Sequence, residues 1–140
     1  MKPQLGKGHF QWTTGGWFGA QIGCTLYLVV LGVIMIIRTP ALGALVVACG
    51  LAPNLLGIAL WRQREHMTPY VAQQILLCGI AVATSVAVTC VTLFGIGHPP
   101  GERWDALVGV AWMLAIYPAL MLLFHALEKA AVRSNATIKD

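Results

Sequence analysis

Charged residues along this chain are confined to short intervals. Between them lie four stretches, roughly residues 17–37, 41–61, 70–94 and 105–127, that hold no Lys, Arg, Glu or Asp except Asp105 at the margin of the last. About 20 apolar residues in a helix cross a hydrocarbon layer of roughly 30 Å, and each stretch reaches that length. The pattern predicts an all-α polytopic membrane protein, a bundle of four transmembrane helices. Residues 1–16 form an interfacial N-terminal arm and residues 128–140 a tail.

The intervals supply the punctuation. Arg38-Thr39-Pro40 is a short connection, and Pro40 suits the first position of the next helix, so spans one and two are antiparallel neighbours. Pro69 opens span three in the same way, after a short turn at 62–69. The segment Gly95–Arg103 is too rich in glycine and proline for a continuous helix. Trp12, Trp17, Trp61 and Trp104 stand at span ends, where indoles anchor at the membrane–water boundary.

Composition strengthens this picture. Hydrophobic residues make up 58% and charged residues 10% of the 140, against about 25% charged in an ordinary soluble domain. The mean hydropathy is +0.75. Little chain remains outside the spans, so function is expected within the helices or on their surface. The net charge of +4 comes from residues that flank spans rather than form a stripe, which argues against a nucleic-acid partner. Lys2, Lys7, Arg62, Arg64, Lys129, Arg133 and Lys139 fall on one side and only Arg38 and Arg103 on the other. The positive-inside rule then places both termini and the 62–69 turn in the cytoplasm. By analogy, the membrane is the bacterial inner membrane. Span one is longer than a signal-peptide core and no small-residue cleavage site follows it. The Asn135-Ala136-Thr137 sequon would lie on the unglycosylated side.

Chemistry-bearing residues are few. Cys24, Cys49, Cys78 and Cys90 all fall inside spans, with no Cys-x-x-Cys pair, and read as small hydrophobes. The four histidines show no metal-binding spacing and no pair at matching depth for haem, so no metal or cofactor is expected. No nucleophile motif or facing carboxylate pair is present, so the chain is not expected to be an enzyme. The carboxylates all lie at or beyond span ends, which argues against proton-driven export.

Within the spans, Gly15, Gly19 and Gly23 repeat every four residues, a spacing that lets helix backbones approach, within one chain or between copies in a homo-oligomer. Ala44, Ala48 and Ala52, then Gly79, Ala83 and Ala87, then Ala111, Ala115 and Ala119, repeat the spacing. Gln74, Cys78, Ala81, Ser85, Thr89 and Thr92 form a weakly polar stripe on span three. Gln21, Asn54, Gln73 or Gln74, and Tyr117 share one depth, near the kinking prolines Pro53 and Pro118. Each proline frees a carbonyl four residues earlier, at Cys49 and Leu114, which needs a partner in lipid. Gln21, Asn54, Gln74, Ser85, Thr89 and Tyr117 are therefore the candidate lining of a solute path. The leading expectation is a small oligomeric channel or carrier for a small neutral solute or ion. The rival is a non-transporting accessory or assembly subunit of a larger membrane complex, which needs only helix faces and the Gly97–Trp104 loop.

Overall fold

The computed structural model describes residues 8–95 and 103–137. All regular structure among them is helical: α1 Thr14–Ile36, α2 Pro40–Arg62, α3 Pro69–Phe94, α4 Arg103–Leu114 and α5 Ile116–Thr137. Four helical stretches are long and apolar enough to cross a membrane, the fourth being α4 and α5 taken together. Lys2, Lys7, His98, Glu102, Lys139 and most of the Gly97–Trp104 loop lie outside the described residues.

The helix boundaries follow the local chemistry. α1 closes where Thr39 N donates to Met35 O at 2.8 Å and Thr39 Oγ1 donates to the same carbonyl at 3.2 Å. Pro40 then starts α2, where a missing N–H costs nothing. Thr68 caps α3 by accepting from Val71 N at 3.3 Å, with Pro69 at the first helical position. α1 begins three residues before the apolar run and takes in Gly15 and Gly16, which the sequence reading placed in the N-terminal arm.

The fourth stretch breaks at Ala115. Pro118 has no N–H for the carbonyl of Leu114, and regular bonding resumes with Ala119 N on Ala115 O at 3.3 Å. Pro53 leaves α2 continuous. The difference lies in surroundings: Pro53 is buried in the seam with α1, whereas Pro118 is exposed.

α1, α2 and α3 pack on one another, and α3 makes the main contact with α4 and α5. The end bearing the α2–α3 turn is termed the near end, and the end bearing the α1–α2 turn the far end. Near the first, Trp17, Leu60, Ala72, Leu76 and Ile80 form a buried cluster flanked by Trp12, Phe18 and Trp61. Towards the second, Leu28, Val46 and Ala87 form another.

The α1–α2 seam is the tightest contact. The buried residues of α2 are Gly43, Val46, Gly50, Pro53, Gly57 and Leu60, alternating steps of three and four with glycine at every seventh position. A side chain on Gly43 would meet Ile36 N at 2.5 Å and Gly32 O at 2.7 Å, so here the two backbones touch. This seven-residue period is the pattern of left-handed helix pairs. The four-residue repeat of α3 also packs, with Gly79 against Leu56 and Ala87 buried, but those of α1 and α2 behave differently. A side chain added at Gly15, Gly19 or Gly23 would meet nothing within 4 Å, and Ala44, Ala48 and Ala52 are exposed.

Candidate functional site

α1 and α2 carry a compact polar group inside their seam. Gln21 is buried against Gly57, where any side chain would collide with its amide. Its Nε2 donates to Asn54 O at 2.6 Å and to Pro53 O at 3.4 Å. Asn54 Nδ2 donates to Thr25 Oγ1 at 2.7 Å and to Gly50 O at 2.8 Å. Thr25 Oγ1 donates to Gln21 O at 3.0 Å. One turn nearer the α2–α3 end, Trp17 Nε1 donates to Gly57 O at 3.1 Å. Gln21 Oε1 is buried and has no partner among the described residues. Exchanging the amide's oxygen and nitrogen would point the oxygen at two carbonyls, so the carbonyl pair fixes the observed orientation.

The other candidate residues do not join this group. Tyr117 lies across the fold, its hydroxyl 3.1 Å from Thr84 Oγ1, which is itself 3.2 Å from the hydroxyl of Tyr27. These three hydroxyls tie α1, α3 and α5 together. Gln74 Nε2 donates to Met121 O at 3.2 Å and joins α3 to α5. Ser85 Oγ turns back to Ala81 O of its own helix at 2.7 Å, as Ser commonly does in apolar helices. Thr89 is half-buried, and Cys78, on the same sequence stripe, is exposed. The structure thus joins Gln21 to Asn54 and places Gln74 and Tyr117 separately on the α3–α5 boundary.

A groove of about 650 Å³ opens sideways between α2 and α3. Ala48, Ala52, Gly79 and Ala83 are among its lining, with Leu56, Ile75, Val82 and Val86 bulkier around them. Of the candidate residues, only Pro53 borders it.

At the near end the N-terminal arm folds over α3 and α5. Glu128 Oε2 accepts from His9 N at 2.8 Å and from Phe10 N at 3.4 Å. The Phe10 ring centroid lies 5.2 Å from that of Phe124 and 6.2 Å from that of Tyr70, and the Tyr70 hydroxyl is 2.9 Å from His125 Nδ1. Beside this, Trp12, Trp17, Phe18 and Trp61 cluster, and the Arg64 guanidinium lies 5.2 Å from the centre of Trp61. Among the described residues no three His, Cys, Asp or Glu side chains gather in a way that could hold a metal ion. The four cysteines are free thiols.

Sequence reasoning passed over Thr25, Tyr27 and Thr84, and took Trp17 only as an interfacial anchor. Thr25 stands four residues after Gln21 and shares its helix face, a signal available in the sequence. Thr84 adjoins the Ser85 stripe but belongs to the next face, and it is Thr84 that is buried.

No protein-family model, curated protein or solved structure matches this chain.

Proposed function

We propose that the chain is an integral membrane protein whose helices form a four-span bundle, and that it acts as a non-transporting accessory or assembly subunit of a larger membrane complex. The observation that carries this reading is the use made of the intramembrane polar groups. Gln21, Thr25, Asn54, Gln74, Thr84 and Tyr117 all bond across helix boundaries, so they act as interhelical ties, each contributing about 0.6 kcal/mol in comparable helical membrane proteins. The outward faces are apolar, with Leu55, Trp112 and Leu122 at least two-thirds exposed, as a subunit meeting lipid and other helices requires. Both termini and the α2–α3 turn face the cytoplasm in this reading, on the basic-residue asymmetry, and the membrane is a bacterial inner membrane.

A second reading, a pore between copies of the chain, draws on one feature. No described residue covers the Gly15, Gly19 and Gly23 face, which offers a close-approach surface to another copy. Reconstitution separates the two. In proteoliposomes the accessory reading expects no protein-dependent flux of small neutral solutes or monovalent ions, and expects Asn54→Leu to lower stability. Flux that Asn54→Leu alters while the protein stays folded would overturn it. A homo-oligomer in nanodiscs that Gly19→Leu dissociates would favour the pore.

A further inference from the structure

We propose that residues 8–11 form a strap that latches α5 onto α3, and that with the strap released the near end of α5 swings off α3 about the break at Ala115. The device rests on the helix arrangement and is independent of the accessory role.

α5 belongs to the least anchored part of the fold. No described side chain of α4 or α5 is buried, whereas α1, α2 and α3 each bury at least five residues. A row of polar ties along one face holds α5 to α3: Tyr117 to Thr84, the Met121 carbonyl to Gln74, and His125 to Tyr70. The last two keep one antiparallel register, four residues along one helix matched by four along the other. Three residues beyond His125, Glu128 falls opposite Met67, which precedes the start of α3 at Pro69. At Glu128, α5 has outrun α3.

The arm supplies the tie that α3 does not. Two successive backbone N–H groups, of His9 and Phe10, converge on Glu128 Oε2, the arrangement by which a turn of backbone grips an anion. A side chain on Gly8 would fall on the same carboxylate, so the grip depends on glycine there. The Phe10 ring packs against Phe124 and Tyr70, beside the bond from Tyr70 to His125. At its other end the arm is rooted by Trp12, whose ring lies 5.0 Å from that of Trp17 in α1 and 5.5 Å from that of Trp61 in α2. The strap therefore runs from the α1–α2 pair to the near end of α5.

Distance from the break decides which tie governs the angle. At 1.5 Å of helix per residue, a swing of about 10° at Ala115 moves Tyr117 by about 0.5 Å and Met121 by about 1.6 Å. The same swing moves His125 by about 2.6 Å and Glu128 by about 3.4 Å. The tie at Tyr117 is nearly still and serves as the pivot. The contacts at His125 and Glu128 are carried out of hydrogen-bond range, and these are the two that the strap makes or flanks. Pro118, which leaves the Leu114 carbonyl without its helical donor, supplies the flexible joint.

Double electron–electron resonance on the full chain in nanodiscs tests the strap. Cys24, Cys49, Cys78 and Cys90 are replaced by alanine, and spin labels are placed at Val71 and Val132, both exposed. The unaltered arm is expected to give one distance. Gly8→Val, which drives the carboxylate off its two N–H groups, should lengthen that distance by about 4 Å for every 10° of swing. Glu128→Ala, which removes the other half of the contact, should give the same lengthened distance. A second pair of labels at Val82 and Val108, also exposed, reads α4 against α3 and should not move, because α4 lies beyond the joint. A Val71–Val132 distance that neither variant changes would overturn the proposal. So would equal shifts in both label pairs, which would mean that α4 and α5 move as a single rod.

Discussion

Gly43→Ala adds one methyl group at the closest point of the α1–α2 seam. Its carbon would stand 2.5 Å from Ile36 N and 2.7 Å from Gly32 O, whereas ordinary contact begins near 3.4 Å. Both neighbours are backbone atoms, so no side chain can swing aside and the helices must part by close to an ångström. Overpacking of this kind costs about 1–3 kcal/mol. Alanine returns up to about 1 kcal/mol through its better helix propensity. The expected result is a net loss of about 1–2 kcal/mol. Gly19→Ala supplies the control, because a methyl there meets nothing within 4 Å and only the propensity gain remains. Unfolding in mixed micelles of mild detergent and dodecyl sulfate, followed by tryptophan fluorescence and circular dichroism, measures both. A Gly43→Ala protein as stable as wild type, or a Gly19→Ala protein equally weakened, would refute the assignment of the seam to the seven-residue glycines.

Three further outcomes are expected. Thr84→Val removes the shared partner of Tyr27 and Tyr117 and should cost about 1 kcal/mol, against about 0.6 kcal/mol for Tyr117→Phe; equal losses in the same unfolding assay would mean that Thr84 does not join the two. Pro118→Ala restores the bond to Leu114 O and removes an interior-proline penalty of about 3 kcal/mol, so α4 and α5 should merge. Spin labels at Asp105 and Val132 should then move apart, and an unchanged distance would show that something else sets the break. Glu128→Ala should release the arm at a cost of about 1 kcal/mol, the loss of hydrogen bonds to a half-buried carboxylate; limited proteolysis at residues 8–13 would quicken, and unaltered cleavage would refute the docking.

The four apolar stretches were legible because hydropathy depends on composition over some twenty residues and needs no knowledge of neighbours. Which face of each helix turns inward was not. Gly15-Gly19-Gly23 and Gly43-Gly50-Gly57 are both regular, but only the second lies within contact distance of the adjacent helix, against Gly32 and Ile36, Leu28 and Val29, and Gln21 in turn. Gln21 and Asn54, read at one level, do meet. Tyr117, read at the same level, bonds to Thr84 instead, because distance along a helix axis says nothing of angle about it. Contacts of long range, such as Glu128 with His9, leave no local trace.

The paired helices Thr14–Ile36 and Pro40–Arg62 satisfy several of their own side-chain donors between them: Trp17 on Gly57, Gln21 on Asn54, Asn54 on Thr25. Both precede α3 in the chain and so leave the ribosome before it. Under the membrane reading proposed above, biogenesis can therefore set this pair as a self-sufficient unit that enters lipid with few bare amides, and α3 then joins a template already formed. The order of synthesis and the order of assembly coincide.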